Sequence, residues 1–340
     1  MGVFVEIEYE ILGIGNAIMD VIAPISDDVL VQNGIEKGSM TLIDQDRALE
    51  LHTVLETHST DQISEIAGGS GANTIAGISA LGVRAAYIGK VAEDDLGARF
   101  TNSLSAEGVQ CCAVPLANGP STARCLIGVT PDGERSMSTF LGANVAFGPD
   151  DIDENIVKSA GVTYLEGYLF DTHDQKAAFV HAAEIAKAAG RQVSLTLSDS
   201  FCVGRHREAF LHLVEHHVDI LFANTDEILS LYETDDLQEA LNRVSKADTI
   251  ACVTRSEKGS VIIVNGDIHK IEAMPVAKVI DTTGAGDQYA AGVLAGRALG
   301  LDWPQAGRLG SICAAEVISH YGARPETNIA DLAKQAGLEL

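Results

Sequence analysis

The segment VIDTTGAGDQYAAG, residues 279–292, places glycines and one acidic side chain at the start of an apolar, small-residue pattern. Gly284 and Gly286 flank Ala285, and Asp287 follows directly. If a helix begins here, its first N–H groups lack intrahelical acceptors and can bind an anion, and glycine lets that anion approach closely. A carboxylate beside a phosphate has a raised pKa and can accept a proton from a hydroxyl. The pattern therefore fits phosphoryl transfer, with helix capping by Asp287 as the alternative.

Other nucleotide-binding patterns are incomplete in this sequence. The segments GIGNAI, GSGANT and GAGDQY approach the dinucleotide fingerprint G-x-G-x-x-G, but Ile18, Thr74 and Tyr289 stand at its third glycine position. The P-loop pattern, in which a G-x-x-x-x-G-K sequence precedes Ser or Thr, does not occur. The sequence therefore argues against a dehydrogenase and against a P-loop enzyme.

The composition excludes several classes of partner. The 340 residues are 46% hydrophobic, which is enough for a large α/β domain with a smaller one attached. The 23 basic and 48 acidic side chains give a net charge of −25, which disfavours nucleic acid and anionic membranes as partners. No apolar run reaches the roughly 18 residues of a membrane span, and the acidic N-terminal segment does not resemble a signal peptide. Six cysteines without a C-x-x-C pair predict reduced thiols in a cytoplasmic protein.

Short apolar segments alternate with longer amphipathic ones along most of the chain. Helices are predicted over 70–82 and 94–108. Strands are predicted over 10–15, 85–90, 162–167, 192–197, 219–224 and 249–254. This alternation predicts an α/β fold with a mostly parallel central sheet flanked by helices.

Two regions interrupt this alternation. Residues 20–44 contain short apolar pieces, and residues 109–140 read as consecutive strands with a Pro-Asp-Gly turn at 131–134. We expect the two insertions to pair into a small β-sheet lid over the carboxyl ends of the main strands. The predicted α/β domain then comprises residues 1–19, 45–108 and 141–340.

Two long segments resemble a known family. DTTGAGDQYAAGVLAG, and AGGSGANTIAGISALGVRAAYIGKVAEDDLGARF at 67–100, are similar to the two signatures of the ribokinase family of carbohydrate and nucleoside kinases. They occur in the expected order, nearly two hundred residues apart. The resemblance spans almost the whole chain and implies a ribokinase-like fold with a β-sheet lid, ATP as phosphate donor, and Mg²⁺.

The resemblance assigns roles at the reacting phosphate. Asp287 matches the catalytic base of the family, and residues 284–286 match its anion hole. Arg135, in the lid segment GERSMSTFLGAN, is expected near the phosphates, with a solvated hairpin charge as the alternative. Asp281 resembles a ligand of the monovalent-cation site that many members have, so K⁺ is a possible further cofactor.

The sequence NTDE matches the N-x-x-E motif of the family. The match places Asn224 beside ATP and places Asn224 and Glu227 near Mg²⁺ and its waters. Few protein ligands are needed there, because Mg²⁺ retains waters and binds substrate phosphates. The alternative is a capping box, in which Asn224 caps a helix and Glu227 is its third residue.

The nucleotide loop departs from the family pattern. Thr254 and Gly259 keep the frame of T-x-G-x-x-G, but Ser256 replaces the first glycine. Ser311 stands where many members have an asparagine beside adenine. ATP binding is expected at these residues, with changed adenine contacts.

The acceptor side resembles adenosine kinases of the family. The motif GNAIMD, the motif GGSGAN and the lid segment supply the residues expected to contact the sugar, which are Asn16, Asp20, Gly68, Gly69, Asn73 and Asn144. A carboxylate can accept hydrogen bonds from two vicinal hydroxyls. A purine could lie against apolar residues drawn from Met40, Leu42, Leu141, Tyr168 and Phe170, although such residues more often belong to the core.

The segment HLVEHH contains a pattern of zinc proteases. His212, Glu215 and His216 have the spacing H-x-x-E-H, which places both histidines on one helix face. No third ligand is evident, so a polar surface helix is the preferred interpretation.

The function expected from the sequence is an ATP-dependent kinase that phosphorylates the 5′-hydroxyl of a ribonucleoside, with adenosine as the first choice. Two alternatives stay open. One is the same chemistry on a free sugar such as ribose or fructose, and the other is a silent nucleoside-binding protein. The partner is a small molecule in each case, and the protein is expected to be a monomer or a homodimer.

Overall fold

The computed structural model describes residues 6–246 and 249–340. Residues 1–5, which the sequence analysis assigned to the α/β domain, and residues 247–248 lie outside the described residues. The described strands are β1 (Tyr9–Ile14), β2 (Ile18–Pro24), β3 (Met40–Leu42), β4 (Ser64–Gly68), β5 (Ala85–Ile88), β6 (Lys90–Ala92), β7 (Gln110–Cys111), β8 (Val114–Leu116), β9 (Ala123–Val129), β10 (Arg135–Phe140), β11 (Ala160–Glu166), β12 (Gln192–Thr196), β13 (Ile220–Asn224), β14 (Ile250–Thr254), β15 (Ser260–Val264) and β16 (Asp267–Ile271).

The α-helices lie mostly between these strands. They are α1 (Asp27–Gln32), α2 (Gln45–His58), α3 (Ser70–Ala80), α4 (Asp95–Ala106), α5 (Glu154–Ser159), α6 (His173–Ala188), α7 (Ser200–His216), α8 (Thr225–Tyr232), α9 (Leu237–Ser245), α10 (Ala285–Ala298), α11 (Trp303–Val317) and α12 (Ile329–Gln335). Among the residues with described positions, no helix has both the length and the apolar character needed to cross a membrane.

The large sheet has the strand order β16-β15-β14-β13-β12-β11-β1-β5-β7. Pairing is parallel from β7 to β14, and β15 and β16 add an antiparallel edge. The prediction of a mostly parallel central sheet is therefore confirmed. Because parallel strands all end at one edge, Glu166, Asn224 and Thr254 come to lie along the same side of the sheet.

Each face of this sheet has its own apolar core. One core, with Phe179 and Phe210, lies under α6 to α9, and the other, with Ile75, lies under α3, α10 and α11. Helices α10 and α11 approach so closely that a Cβ on Gly292 would lie 2.7 Å from the Cα of Gly310. The small residues of α10 therefore allow the close packing that holds its N-terminus in place.

The small sheet has the order β3-β10-β9-β2-β4. Its β9–β10 hairpin is antiparallel, and Gly133 in the predicted turn has φ +86° and donates its N–H to the Thr130 carbonyl at 2.8 Å. Strands β2 and β3 from the first insertion pair with β9 and β10 from the second, so the predicted pairing of the two insertions is confirmed. Helices α1 and α2 cover one face through Leu30 and Leu51, which leaves the other face turned towards the large sheet.

The composition of the small sheet differs in detail from the predicted lid segments. Strand β4, whose sequence SEIAG is short and mostly exposed, joins this sheet although the prediction gave it to the α/β domain. Within 109–117, Gln110–Cys111 pairs with β5 in the large sheet, and Val114–Leu116 pairs with β6. The division of the chain into the two predicted domains stays a prediction.

Candidate active site

A cleft of about 960 Å³ opens at the carboxyl ends of β12, β13 and β14. Thr196, Asn224 and Thr254 line it where those strands end, and residues 284–287 line it from the start of α10. An apolar wall at 273–276 faces them, as a base-binding slot requires. The cleft therefore joins a helix N-terminus, polar strand ends and an apolar slot.

The N-terminus of α10 presents free amide groups to this cleft. Gly284 has φ +79° as the N-cap, and Ala285 donates its N–H to the Thr282 carbonyl at 3.2 Å. The N–H groups of Gly286 and Asp287 meet no hydrogen-bond acceptor in the described part of the chain, and a Cβ on Gly286 would contact nothing within 4 Å. These two amides, at the positive end of a 14-residue helix, suit an anion.

The Asp287 carboxylate faces α3 and not its own helix backbone. Its Oδ1 accepts a hydrogen bond from the Ser70 hydroxyl at 2.6 Å, and its Oδ2 accepts one from the Asn73 Nδ2 at 3.4 Å. Burial raises the pKa of Asp287 to about 6, and the two hydrogen bonds oppose that rise. A carboxyl with such a pKa is ionised at neutral pH and still basic enough to take a proton from a hydroxyl.

Asn224 and Glu227 form the capping box that was the alternative to a metal site. The Asn224 Oδ1 accepts from the Glu227 N–H at 2.9 Å, and the Glu227 Oε2 accepts from the Asn224 N–H at 2.9 Å. Both residues also line the cleft. The pKa of Glu227 is raised to about 7, mainly by burial and also by the charges of Asp199, Asp226 and Asp287, while the hydrogen bond from the Asn224 N–H opposes the rise.

The Glu227 carboxylate fits a hard divalent cation. Its oxygens are ligands that Mg²⁺ prefers, and a positive charge would relieve the repulsion between Glu227 and the neighbouring carboxylates. Within the described ranges, 6–246 and 249–340, no three His, Cys, Asp or Glu side chains come together in a metal-ligating group. The site therefore fits Mg²⁺ held through waters and phosphates, with Asn224 and Glu227 beside it. The zinc-protease pattern at 212–216 forms no such group either.

The predicted nucleotide residues lie together along the cleft. Thr254, Gly259 and Ser311 all line it. A Cβ on Gly259 would lie 2.0 Å from the Ile271 carbonyl oxygen, so the loop requires glycine there. Ser256 adopts φ +52°, a left-handed backbone that glycine adopts without strain. The loop thus keeps a glycine-type conformation although serine has replaced glycine.

Asp20 approaches the backbone of β4 closely. A Cβ on Gly68 would lie 2.3 Å from the Asp20 Oδ2, and a Cβ on Gly69 would lie 2.4 Å from the Asn16 carbonyl oxygen. Gly69 also has φ +91°, so both glycines have a structural reason to be there. Burial raises the pKa of Asp20 to about 6, the guanidinium groups of two arginines oppose this, and the charge of Asp287 adds to it. Asp20 and Asp287 therefore face a common region.

A buried carboxyl that the sequence analysis missed supports this region. Glu166 accepts hydrogen bonds from the N–H groups of Asn16 at 2.9 Å and Gly71 at 3.0 Å. Asn144 is fully buried, and its side-chain amide bonds to the N–H and carbonyl of Ala17 at 3.1 and 3.2 Å. These contacts fix the backbone after β1. The position of Glu166 at the end of β11 was the only available signal, and its partners lie 150 and 95 residues away.

Arg135 reaches from the small sheet to the segment between β16 and α10. Its Nη1 lies 2.5 Å from the Asp281 Oδ2, and both side chains are largely buried, so Arg135 is not a solvated hairpin charge. Asp281 also accepts from the Thr283 N–H at 3.0 Å and the Gly322 N–H at 3.2 Å. Burial raises the pKa of Asp281, but the Thr283 hydrogen bonds and Arg135 hold it below its usual value. A monovalent cation at Asp281 stays a prediction, and it requires Arg135 to move.

The residues suggested for a purine wall separate into three groups. Phe170 is buried in the core and stacks on Phe210 with ring centroids 4.6 Å apart, so its prediction is wrong. Tyr168 lines the cleft beside the strand ends. Met40 and Leu42 lie on the small sheet and are each 46% exposed, and Leu141 follows β10 and is half-buried.

Comparisons with known proteins find similarity over nearly the whole chain. A model of the pfkB family of carbohydrate kinases matches residues 37–329. The crystal structure of adenosine kinase from Sinorhizobium meliloti is 47% identical, with a TM-score of 0.88 over 97% of this chain and 99% of that one. A probable sugar kinase from Rhizobium etli is 46% identical, with a TM-score of 0.89 over 97% and 98%. An ATP-dependent ribose-1-phosphate kinase from Halopiger xanaduensis is 31% identical over 260 residues, 76% of this chain and 82% of that protein.

Proposed function

Because the chain belongs to the pfkB family of carbohydrate kinases and is therefore a phosphotransferase, we propose that it uses ATP to phosphorylate the 5′-hydroxyl of a ribonucleoside, with adenosine as the preferred acceptor. The observation that carries the chemistry is the position of Asp287. Its carboxylate lies in the cleft beside the free N–H groups of Gly286 and Asp287 itself. A base and an anion site are thus within one helix turn.

The face of the small sheet around Asp20 supports a nucleoside as acceptor. Cross-strand pairs place Asp20 in one row with Ile66, Cys125, Thr139 and Leu42. The next row holds Ile22, Ile127, Met137 and Met40, which are all apolar, and Ser64 at the edge of the sheet. A nucleoside has a polyol part for the carboxylate and a flat apolar base for the rows beside it. A free sugar leaves the exposed members of these rows, Ile66, Met40 and Leu42, uncovered.

The two carboxylates divide the work on the acceptor. Asp20 accepts hydrogen bonds from the vicinal hydroxyls of the ribose. Asn73, which contacts Asp287, and the backbone at Gly68 and Gly69 lie on the adjoining side. The charge of Asp287 acts on Asp20, which supports a ribose that is held at Asp20 with its 5′-hydroxyl directed to Asp287.

The reaction then proceeds at Asp287. Its carboxylate takes the proton of the 5′-hydroxyl while that oxygen forms a bond to the γ-phosphorus of ATP, and the bond from phosphorus to the β,γ-bridging oxygen breaks to release ADP. The N–H groups at the start of α10 stabilise the charge on the transferred phosphoryl group. Bound Mg²⁺ would neutralise charge on the ATP phosphates. Arg135 approaches this place from the lid through its contact with Asp281.

A panel of acceptors tests the proposal. ADP release is measured with adenosine, inosine, guanosine, ribose, fructose and ribose 1-phosphate at equal ATP and Mg²⁺. We expect the highest kcat/KM with adenosine. A free sugar that outperforms every nucleoside would establish the alternative, which the similarity to a probable sugar kinase favours. Tight nucleoside binding with no ADP release in the presence of any acceptor would identify a silent binding protein.

A substitution at a surface isoleucine tests where the nucleobase of the acceptor binds. Ile66 is 40% exposed beside Asp20, and its replacement by serine removes apolar contact worth about 1 kcal/mol. We expect Ile66→Ser to raise the KM for adenosine about fivefold and to leave activity on any free sugar unchanged. The matched control is Ile268→Ser, because Ile268 is 46% exposed at the distant edge strand β16. An equal rise of the KM for adenosine in the two variants would contradict this position for the nucleobase.

A further inference from the structure

The segment after α11 packs directly against α10, the helix whose first turn contains Asp287. Gln288, which is 1% exposed, donates from Nε2 to the carbonyl oxygens of Asn73 and Ala323, both at 2.9 Å. Helices α3 and α10 and residues 319–324 are therefore tied together at one buried side chain. The backbone of Arg324, which follows Ala323, therefore lies near Asp287, although Arg324 is 37 positions beyond Asp287 in the sequence.

Arg324 has two defined partners. Its Nε donates to the Asn73 Oδ1 at 3.3 Å, and its Nη1 forms an ion pair with Glu107 at the end of α4. The side chain is only 18% exposed. These contacts hold the guanidinium group at the Asn73 amide, while its Nη2 is buried without a hydrogen-bond partner among the described residues.

The guanidinium group determines how the Asn73 amide is oriented. Arginine has only donors, so the amide must turn its oxygen towards Arg324. The Nδ2 group then faces the Asp287 Oδ2, to which it donates at 3.4 Å. In the opposite orientation, the amide oxygen would face a carboxylate oxygen and the amide N–H group would face a cation. Both contacts would be repulsive.

We propose that Arg324 is a positioning residue, which holds the Asn73 amide so that its N–H group donates to Asp287. This proposal rests on the proposed role of Asp287 as base, but not on the identity of the acceptor. A donor on the carboxylate stabilises its ionised form and fixes its direction, so Arg324 acts on the base through Asn73. The other ionisable groups that act on Asp287 or feel its charge are Asp20 on β2, Tyr164 and Glu166 on β11, Tyr168 after β11, and Glu227 on α8.

The test uses Arg324→Met, which keeps an unbranched side chain and removes all donors. Because Arg324 also lowers the pKa of Asp20, the readout is kcat at saturating acceptor and not kcat/KM. We expect kcat to fall about tenfold and its acid limb to move up by about half a pH unit, with the KM for ATP unchanged. Arg324→Lys restores a donor and should recover part of both effects. Glu107→Gln is the matched control, because it removes the ion pair and leaves the Asn73 contact in place.

A second background separates positioning from the simple loss of a charge. In Asn73→Ala, the change Arg324→Met should move the acid limb no further, since the amide that transmits the effect is gone. An equal movement in both backgrounds, or no movement in the wild-type background, overturns the proposal. The Asp287 carboxyl is also titrated by ¹³C NMR without ligands, and the Asp287→Asn variant assigns the signal. That titration decides the proposal even if no nucleoside is phosphorylated, so the two failures are distinguishable.

Discussion

A single carboxyl group connects the two halves of the site. Asp287 lines the cleft proposed to bind ATP, contacts Ser70 and Asn73 on α3, and acts electrostatically on Asp20 at the proposed acceptor site. Its pKa is raised by burial alone, before any phosphate is bound. The sequence analysis expected the rise from a neighbouring phosphate, so the fold already supplies part of what was assigned to the ligand.

The raised pKa predicts how the rate depends on pH. The base works when ionised, so activity should be lost as pH falls through the folded-state value, which is about 6. Bound phosphate raises this pKa further, so we expect kcat at saturating substrates to fall tenfold per pH unit on the acid side, with a pKa at or above the ligand-free value of about 6. The Asp20→Asn variant should raise the acceptor KM and keep this acid limb. Loss of the limb in Asp20→Asn would assign it to Asp20 instead.

At the scale of elements, the strands and helices were predictable and their long-range contacts were not. Predicted strands at 10–15, 192–197 and 219–224 are present as β1, β12 and β13, because a buried parallel strand is a continuous apolar run. The signature at 284–287 was equally local. The support from Glu166, by contrast, joins residues about 100 to 150 positions apart. No periodicity or spacing in a single sequence predicts such a contact.

Strand β4 shows the same limit for a small element. Its five residues SEIAG are mostly exposed, so neither apolar alternation nor burial identified it as part of the lid sheet. Its pairing with β2 brings Gly68 against Asp20. The glycines at 68 and 69 were recognised from a motif, and only the coordinates give the steric reason for them.

The loop between β14 and β15 provides a prediction about stability. Ser256 is held at φ +52°, where a side chain costs about 1 kcal/mol relative to glycine. Ser256→Gly should therefore raise the free energy of unfolding by about 1 kcal/mol in urea titrations. Glu257→Gly is the matched control, because Glu257 lies in the 3₁₀ turn at 256–258 and its φ is not positive. That control should destabilise the protein slightly. Equal effects from the two substitutions would contradict the argument.

At the scale of the whole molecule, the net negative charge and the burial of carboxyl groups both favour proton binding by the folded state. The chain has a net charge of −25, and four carboxyls have pKa values raised by burial, to about 6 for Asp20 and Asp287 and to about 7 for Glu166 and Glu227. A raised carboxyl pKa means that the folded state binds more protons than the unfolded state. The free energy of unfolding therefore falls as pH rises from about 4.5 to about 7.

This linkage predicts a higher melting temperature at pH 6 than at pH 8 in Mg²⁺-free buffer of constant ionic strength. Glu227→Gln removes one of the four groups and can keep the capping-box bond to the Asn224 N–H, but it loses the second acceptor, to which the Asn224 Nδ2 donates at 2.6 Å. We therefore expect it to flatten the pH dependence of stability between pH 6 and pH 8. Differential scanning calorimetry at both pH values gives the comparison. A melting temperature that rises from pH 6 to pH 8 in the wild type would contradict the account.

The most direct measurement is single-turnover phosphoryl transfer by Asp287→Asn with the best acceptor of the panel. The account predicts that the transfer rate falls by roughly 10²–10⁴, while ATP and acceptor affinities stay within a few-fold and the melting temperature is retained. Asp331→Asn, at an exposed position on α12, is the matched control and should transfer at the wild-type rate. A transfer rate for Asp287→Asn within fivefold of wild type would show that Asp287 is not the base.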